Sequence, residues 1–256
     1  MKMYSLKPIK LIIKRLANKL GYDIRRIPKP GSSSIAREYE LVYPVSNYSP
    51  WNKDKSFQSM LAAIKGFTLV DKYRCFEIWK LIEQISKLKK GSIIEVGVWR
   101  GGTGALIAKQ ARNCGIEERV FLCDTFTGVV KAGFKDTVYK GGEHGDTNRQ
   151  IVEELIFSRM NLDNVEILEG VFPDQTGHLV ENEEFRFCHI DVDVYQSAKD
   201  IFDWIWDKMI PGGIIVSDDF GFRECEGVTK YVEEQMMIRD RLVIHNLNGH
   251  AIILKL

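Results

Sequence analysis

Residues 189–197 read HIDVDVYQS, and residues 214–221 read IIVSDDFG. Both have the form of a buried strand that ends in carboxylates, Asp191 and Asp193 in the first and Asp218 and Asp219 in the second. In an open α/β sheet, ligands bind in the crevice at the carboxyl ends of the strands. Two such ends would gather four acids in one place. Like charges at that density repel unless a positive group sits between them. That group would be a metal ion, a cationic cofactor, or both. An extended strand would turn Asp191 and Asp193 to one face and Val192 and Val194 to the other. Oxygen donors of this kind suit Mg2+ or Ca2+ better than zinc.

The flanking sequence repeats the strand-then-helix pattern. Residues 92–96, 120–123, 165–168 and 185–190 are short apolar strands, and residues 214–216 make a fifth. Between them, residues 102–112 and 147–160 read as helices. Ala198, Ile201, Phe202, Ile205 and Met209 mark one face of a third, which Pro211-Gly212-Gly213 should stop. Residues 242–245 and 251–254 read as a closing antiparallel pair around Asn248-Gly249. Residues 54–88 read as two helices broken near Gly66. Residues 131–147, with glycines and charges but no period, read as a mobile loop. Alternation of this kind predicts an α/β fold with a doubly wound, mostly parallel sheet.

The first strand runs into Glu95-Val96-Gly97-Val98-Trp99-Arg100-Gly101-Gly102-Thr103-Gly104. Its glycine spacing is not the G-x-G-x-x-G of a dinucleotide fold. Glu95 would repel a pyrophosphate and attract an ammonium or sulfonium group. Asp124 ends the second strand, where a carboxylate can take both hydroxyls of a ribose or cap the next turn. Of the five histidines, His189 reads as a core residue. His144, in Gly141-Gly142-Glu143-His144, sits where it could reach a substrate. No P-loop, nucleophile elbow or zinc spacing is present.

Composition limits the remaining classes. The chain has 256 residues, 36 basic and 35 acidic side chains, and a net charge of +1, which gives no general pull toward nucleic acid. Residues 1–30 hold nine basic side chains against Asp23, a local +8 that leaves about −7 for the rest. Ile9, Ile13, Leu16 and Leu20 fall on one helical face of this arm. A basic amphipathic helix can pack on a partner subunit or on the domain itself, lie on a membrane surface, or stay a frayed arm; subunit packing implies a homo-oligomer, and membrane contact a peripheral one. Pro28, Pro30 and residues 31–34 break it, which divides the chain into an arm, 1–47, and a domain, 48–256. Five cysteines without a CxxC pair, and no signal or spanning segment, fit a reducing cytoplasm.

The runs TLVDKYR (68–74), EVGVWRGGTG (95–104), DTF (124–126), GGEH (141–144), HIDVDVYQSAKD (189–200), PGGIIVSDDFGF (211–222) and Cys225-Glu226-Gly227 together resemble the macrocin O-methyltransferase family. The resemblance covers about residue 48 to the C-terminus. It implies a seven-stranded class I methyltransferase sheet with an antiparallel C-terminal strand and N-terminal helices. It also implies S-adenosylmethionine and Mg2+ as cofactors, and a sugar or glycosylated small molecule as acceptor. By position it places Glu95, Gly97, Gly101, Thr103, Asp124, Thr125 and Asp174 at the cofactor. It places Asp191, Asp218 and Asp219 at the metal, and Asp193 or His144 as the base. After DTF, Thr127-Gly128-Val129-Val130 replaces the acid-Gly-Leu-Pro turn frequent in the family, which leaves acceptor choice open. Two other readings compete: a nicotinamide-dependent oxidoreductase, disfavoured by Glu95 and the glycine spacing, and a non-catalytic binding module, disfavoured by the full set of acids.

Overall fold

A computed structural model describes residues 13, 15–17, 19, 20, 39, 42 and 46–256. Residues 46–256 form one compact unit. Seven strands make one sheet: β1 Ser92–Val96, β2 Val120–Asp124, β3 Val165–Glu169, β4 Phe185–Ile190, β5 Met209–Ser217, β6 Arg241–His245 and β7 Ala251–Lys255. Their order is β3-β2-β1-β4-β5-β7-β6. β1 to β5 are parallel, and β7 runs antiparallel to both β5 and β6. This is the sheet expected from the sequence. The order reverses between β1 and β4, so the connections on either side leave in opposite directions and a crevice opens there.

Six helices flank the sheet: α1 Lys55–Ala63, α2 Lys72–Ile85, α3 Gly102–Asn113, α4 Arg149–Glu153, α5 Tyr195–Trp206 and α6 Glu226–Gln235. Their starts are chemically marked. Asp54 accepts from Phe57 N ahead of α1, and Asp71 accepts from Tyr73 N and Arg74 N ahead of α2. Such a cap contributes about 1 kcal/mol. α4 continues as a π-helical turn, Glu154–Arg159.

Strand alternation builds two cores, one on each face of the sheet. Ile93, Leu122, Phe187 and Val216 pack under α1 to α4. Ile94, Val96, Phe121, Cys188 and Ile215 pack under α5 and α6. Ile78 and Ile82 of α2 are fully buried, so truncating either to Ala would cost roughly 2–5 kcal/mol. All five cysteines are free thiols.

Three expectations change. Pro211-Gly212-Gly213 does not precede the fifth strand but lies inside it. Met209 pairs with Phe185 and Ile214 with Phe187, so the extra residues form a bulge. Met209 therefore belongs to β5 and not to the preceding helix. Residues 131–147 carry no helix or strand, yet they are held by specific bonds. Lys131 bridges Asp174 and Asp200, and Asp136 accepts from Gly133 N and Tyr195 N.

In the arm, residues 13, 15–17 and 19 are helical, and Ile13, Leu16 and Leu20 are exposed. Ile9 and the break at 28–34 lie outside the described residues. Among the described residues, no helix is long and apolar enough to cross a membrane.

Candidate active site

The carboxyl ends of β1, β2, β4 and β5 open on a cavity of about 340 Å3, within the range of small-molecule sites. Nine of the twelve residues expected from the sequence line it: Gly97, Thr103, Asp124, Thr125, His144, Asp191, Asp193, Asp218 and Asp219. Glu95, Gly101 and Asp174 do not. Glu95 is fully buried below the cavity, with Oε1 2.9 Å from His189 Nδ1. Asp174 pairs with Lys131 at 2.8 Å. Gly101 takes a left-handed conformation, φ 87°, at the start of α3.

The glycine-rich turn is shaped first by the protein itself. A Cβ on Gly97 would lie 1.6 Å from the Asp191 carbonyl oxygen, so glycine there permits the ends of β1 and β4 to touch. Asp124 fixes the rest of the turn. Its Oδ2 accepts from Val98 N and Trp99 N, each at 2.7 Å, and its Oδ1 from Phe126 N at 2.7 Å. The cap reading of Asp124 is thus realised, while its carboxylate still faces the cavity. Thr103 Oγ1 is 2.8 Å from Thr68 Oγ1, which ties α3 to the segment before α2. Thr125 Oγ1 donates to Gly128 O.

On the opposite wall stand the four acids. The chain leaves the strand at Ile190, and Asp193 has φ 65°. The extended arrangement expected for residues 191–193 is therefore absent, and Val192 lines the cavity beside both acids. The left-handed turn aims the Asp193 amide at Asp219 Oδ2, 3.0 Å away.

The four carboxyl groups divide by environment. Burial pushes Asp218 up, but His250, Arg74 and His189 outweigh it and hold the carboxyl below its usual range. Arg74 Nη1 and Asp219 N both donate to its Oδ1. Asp191 and Asp219 lie well above the usual range, because they are buried and face one another's charge with Asp218 and Asp193. Burial also raises Asp193, against the pull of Tyr139 and His144. At Asp218 the positive neighbours thus prevail, and at the other three desolvation and mutual repulsion do.

Among the described residues, two groups bring three donor atoms within 4.8 Å: Asp193, Asp219 and Cys225, and His189, Asp218 and His250. The trio Asp191, Asp218 and Asp219 lines one wall but is not gathered to that degree.

Several partners were not singled out from the sequence. Arg74 falls on the buried stripe of α2 with Ile78, Leu81 and Ile85. An arginine on an apolar stripe was the available signal. Tyr139 was not signalled. Its hydroxyl lies 3.3 Å from His144 Nε2 and pulls down on the Asp193 carboxyl, so it stands between the two candidate bases.

The sheet order, crevice and acid wall define a class I methyltransferase fold. The solved O-methyltransferase NovP shares it, with a TM-score of 0.63 and 21% identity over 74% of this chain and 81% of that one. The family model of macrocin-O-methyltransferase (TylF) matches residues 35–250, and the chain belongs to that family.

The chain is 29% identical over 149 residues to the 8-demethyl-8-(2,3-dimethoxy-alpha-L-rhamnosyl)-tetracenomycin-C 4'-O-methyltransferase of Streptomyces olivaceus, covering 53% of this chain and 55% of that protein. It is 27% identical over 168 residues to the mycinamicin III 3''-O-methyltransferase of Micromonospora griseorubida, covering 60% and 64%. The chain thus spans between about half and two thirds of the length of these relatives.

Proposed function

We propose that the protein is an S-adenosylmethionine-dependent O-methyltransferase acting on a sugar hydroxyl of a glycosylated small molecule. One observation carries this reading: a cavity at the strand ends with a glycine-rich turn on one wall and four carboxylates on the other. Family membership and the names of the relatives support the reaction and the acceptor class. A dinucleotide would need to place its pyrophosphate near Glu95, which is buried and paired with His189.

When bound, S-adenosylmethionine supplies an electrophilic methyl group on a sulfonium, whose charge suits an acidic crevice. Gly97, Thr103, Asp124 and Thr125 would line its pocket, with Asp124 holding the turn in shape. Asp191, Asp218 and Asp219 would hold Mg2+. Their hard oxygens fit it, Asp218 Oδ2 is buried without a hydrogen-bond partner, and Asp191 and Asp219 lack a positive neighbour strong enough to offset their repulsion. The ion would supply electrostatic stabilisation of negative charge on the acceptor.

A sugar hydroxyl is a poor nucleophile until its proton leaves. Asp193 is the proposed acceptor of that proton, since burial makes its carboxylate more basic than an exposed one. His144 is the second candidate, and Tyr139 positions both. The Lys131 bridge to Asp174 and Asp200 holds the segment that roofs this end.

Incubation with methyl-labelled S-adenosylmethionine and a panel of glycosylated small molecules tests the proposal. Label is expected in at least one sugar. Asp218→Asn should abolish transfer while cofactor binding survives. Full turnover by that variant, or in excess EDTA, would overturn the metal assignment.

A further inference from the structure

Below the cavity, Asp218 belongs to a second cluster, with two histidines that the proposed methyl transfer does not use. His189 Nδ1 lies 2.9 Å from Glu95 Oε1, and His250 Nδ1 lies 2.6 Å from Glu77 Oε2. With the Nδ1 proton given to its glutamate, each ring can present Nε2 as a lone-pair donor. Both free nitrogens face Asp218. His250 Nε2 is 3.6 Å from Oδ1, and His189 Nε2 is 4.0 Å from Oδ2. Neither Nε2 has a hydrogen-bond partner, and neither does Asp218 Oδ2. The two histidines are 0% exposed and Asp218 is 1% exposed. Three buried polar atoms without a hydrogen-bond partner thus converge below the cavity.

A metal ion would give these atoms a common partner. Two donors on one tetrahedral zinc ion, each at ~2.0–2.2 Å, stand about 3.4 Å apart. Here one donor from each residue lies within 4.8 Å of the others, so the side chains would close by about an ångström around an ion. Metal-bound histidines as a rule give their second ring proton to a carboxylate, and both rings do so. Imidazole donors favour zinc, iron, nickel or copper over magnesium.

We infer that His189 Nε2, His250 Nε2 and Asp218 form a buried site for a divalent first-row transition ion. It is distinct from the acids that face the cavity and shares only Asp218 with them. The site ties β4, the end of β5, the turn before β7 and, through Glu77, α2.

The test uses the full chain, stripped with chelator and dialysed against Zn2+. Metal content is measured by plasma mass spectrometry, and Tm with and without zinc. One zinc per chain and a raised Tm are expected. His250→Gln should lose the zinc. Glu77→Gln keeps all three donors and should weaken zinc binding about 10–100-fold. Asp191→Asn should retain it, which separates this site from a cation among the cavity acids. Zinc bound no better by the natural chain than by His250→Gln overturns the proposal. So does nitrogen-15 NMR of zinc-supplemented protein showing both Nε2 atoms protonated. If His250→Gln does not fold, an unchanged zinc affinity in Glu77→Gln overturns it instead.

Discussion

Replacing Arg74 with methionine keeps most of the side-chain volume and removes one charge. The guanidinium donates Nη1 to Asp218 and Nε to Asp71 Oδ2 at 2.9 Å, and it lies 5.0 Å from the Phe222 ring. The Arg74 side chain is 10% exposed and that of Asp218 is 1% exposed. Asp71 can turn to water, because 44% of its side chain is exposed. Asp218 cannot. Removing one partner of a buried ion pair costs roughly 3–5 kcal/mol, because the remaining charge is left without its counter-ion. His250 and His189 stay beside Asp218, so the lower end of that range is expected. For a domain of this size each kcal/mol shifts Tm by about 2–4 °C, so a loss of about 3 kcal/mol in Arg74→Met should lower Tm by roughly 6–12 °C. Thermal unfolding at neutral pH with EDTA measures it. A fall of less than about 2 °C would refute the reasoning, since Asp218 would then be neutralised by something other than Arg74.

Other outcomes follow from the same geometry. Gly97→Ala should fail to fold or lose more than about 4 kcal/mol in denaturant unfolding, because a Cβ would strike the Asp191 carbonyl at 1.6 Å and φ is 92°. Asp193→Asn should lower kcat by roughly 10²–10⁴-fold with cofactor affinity unchanged; equal kcat would move the base to His144. Tyr139→Phe should lower kcat by less than Asp193→Asn does, read from the same assay. The pH dependence of stability has a defined sign. Asp191 and Asp219 bind protons more tightly folded than unfolded, so without divalent ions they favour the folded state at low pH. That advantage is lost as pH rises from the ordinary carboxylate value through their raised ones. Tm measured across this window in EDTA should fall with pH, and Mg2+ should flatten the slope.

The sheet was legible because its strands are short apolar runs separated by helical periods, and because the two carboxylate-tipped runs mark adjacent strands. The seven-stranded arrangement with its antiparallel end was implied by the family resemblance, not by that alternation. What escaped depends on contacts across long sequence distances. Arg74 lies 144 residues from Asp218, and Glu77 lies 173 from His250. The apolar stripe marks Arg74 as buried but does not name its partner, and nothing local distinguishes Glu77 from any charged residue on a half-buried helix. Asp193 was expected to extend with Asp191, but the approach of Gly97 to the Asp191 carbonyl and the pull of Asp219 on the Asp193 amide turn the chain out of the strand. The segment 131–147 looked unconstrained because its anchors, Asp174 and Asp200, are contributed by other elements. Glu95 was expected at the cofactor because it ends an apolar strand near the crevice, but its strand neighbour His189 draws it inward.

The central claim is that the crevice takes a sulfonium cofactor and not a dinucleotide. Calorimetric titration of the full chain with S-adenosylmethionine, and separately with NAD, tests it directly. One molecule of S-adenosylmethionine per chain, with no heat from NAD, is predicted. Binding of NAD, or no binding of S-adenosylmethionine to folded protein, would contradict it.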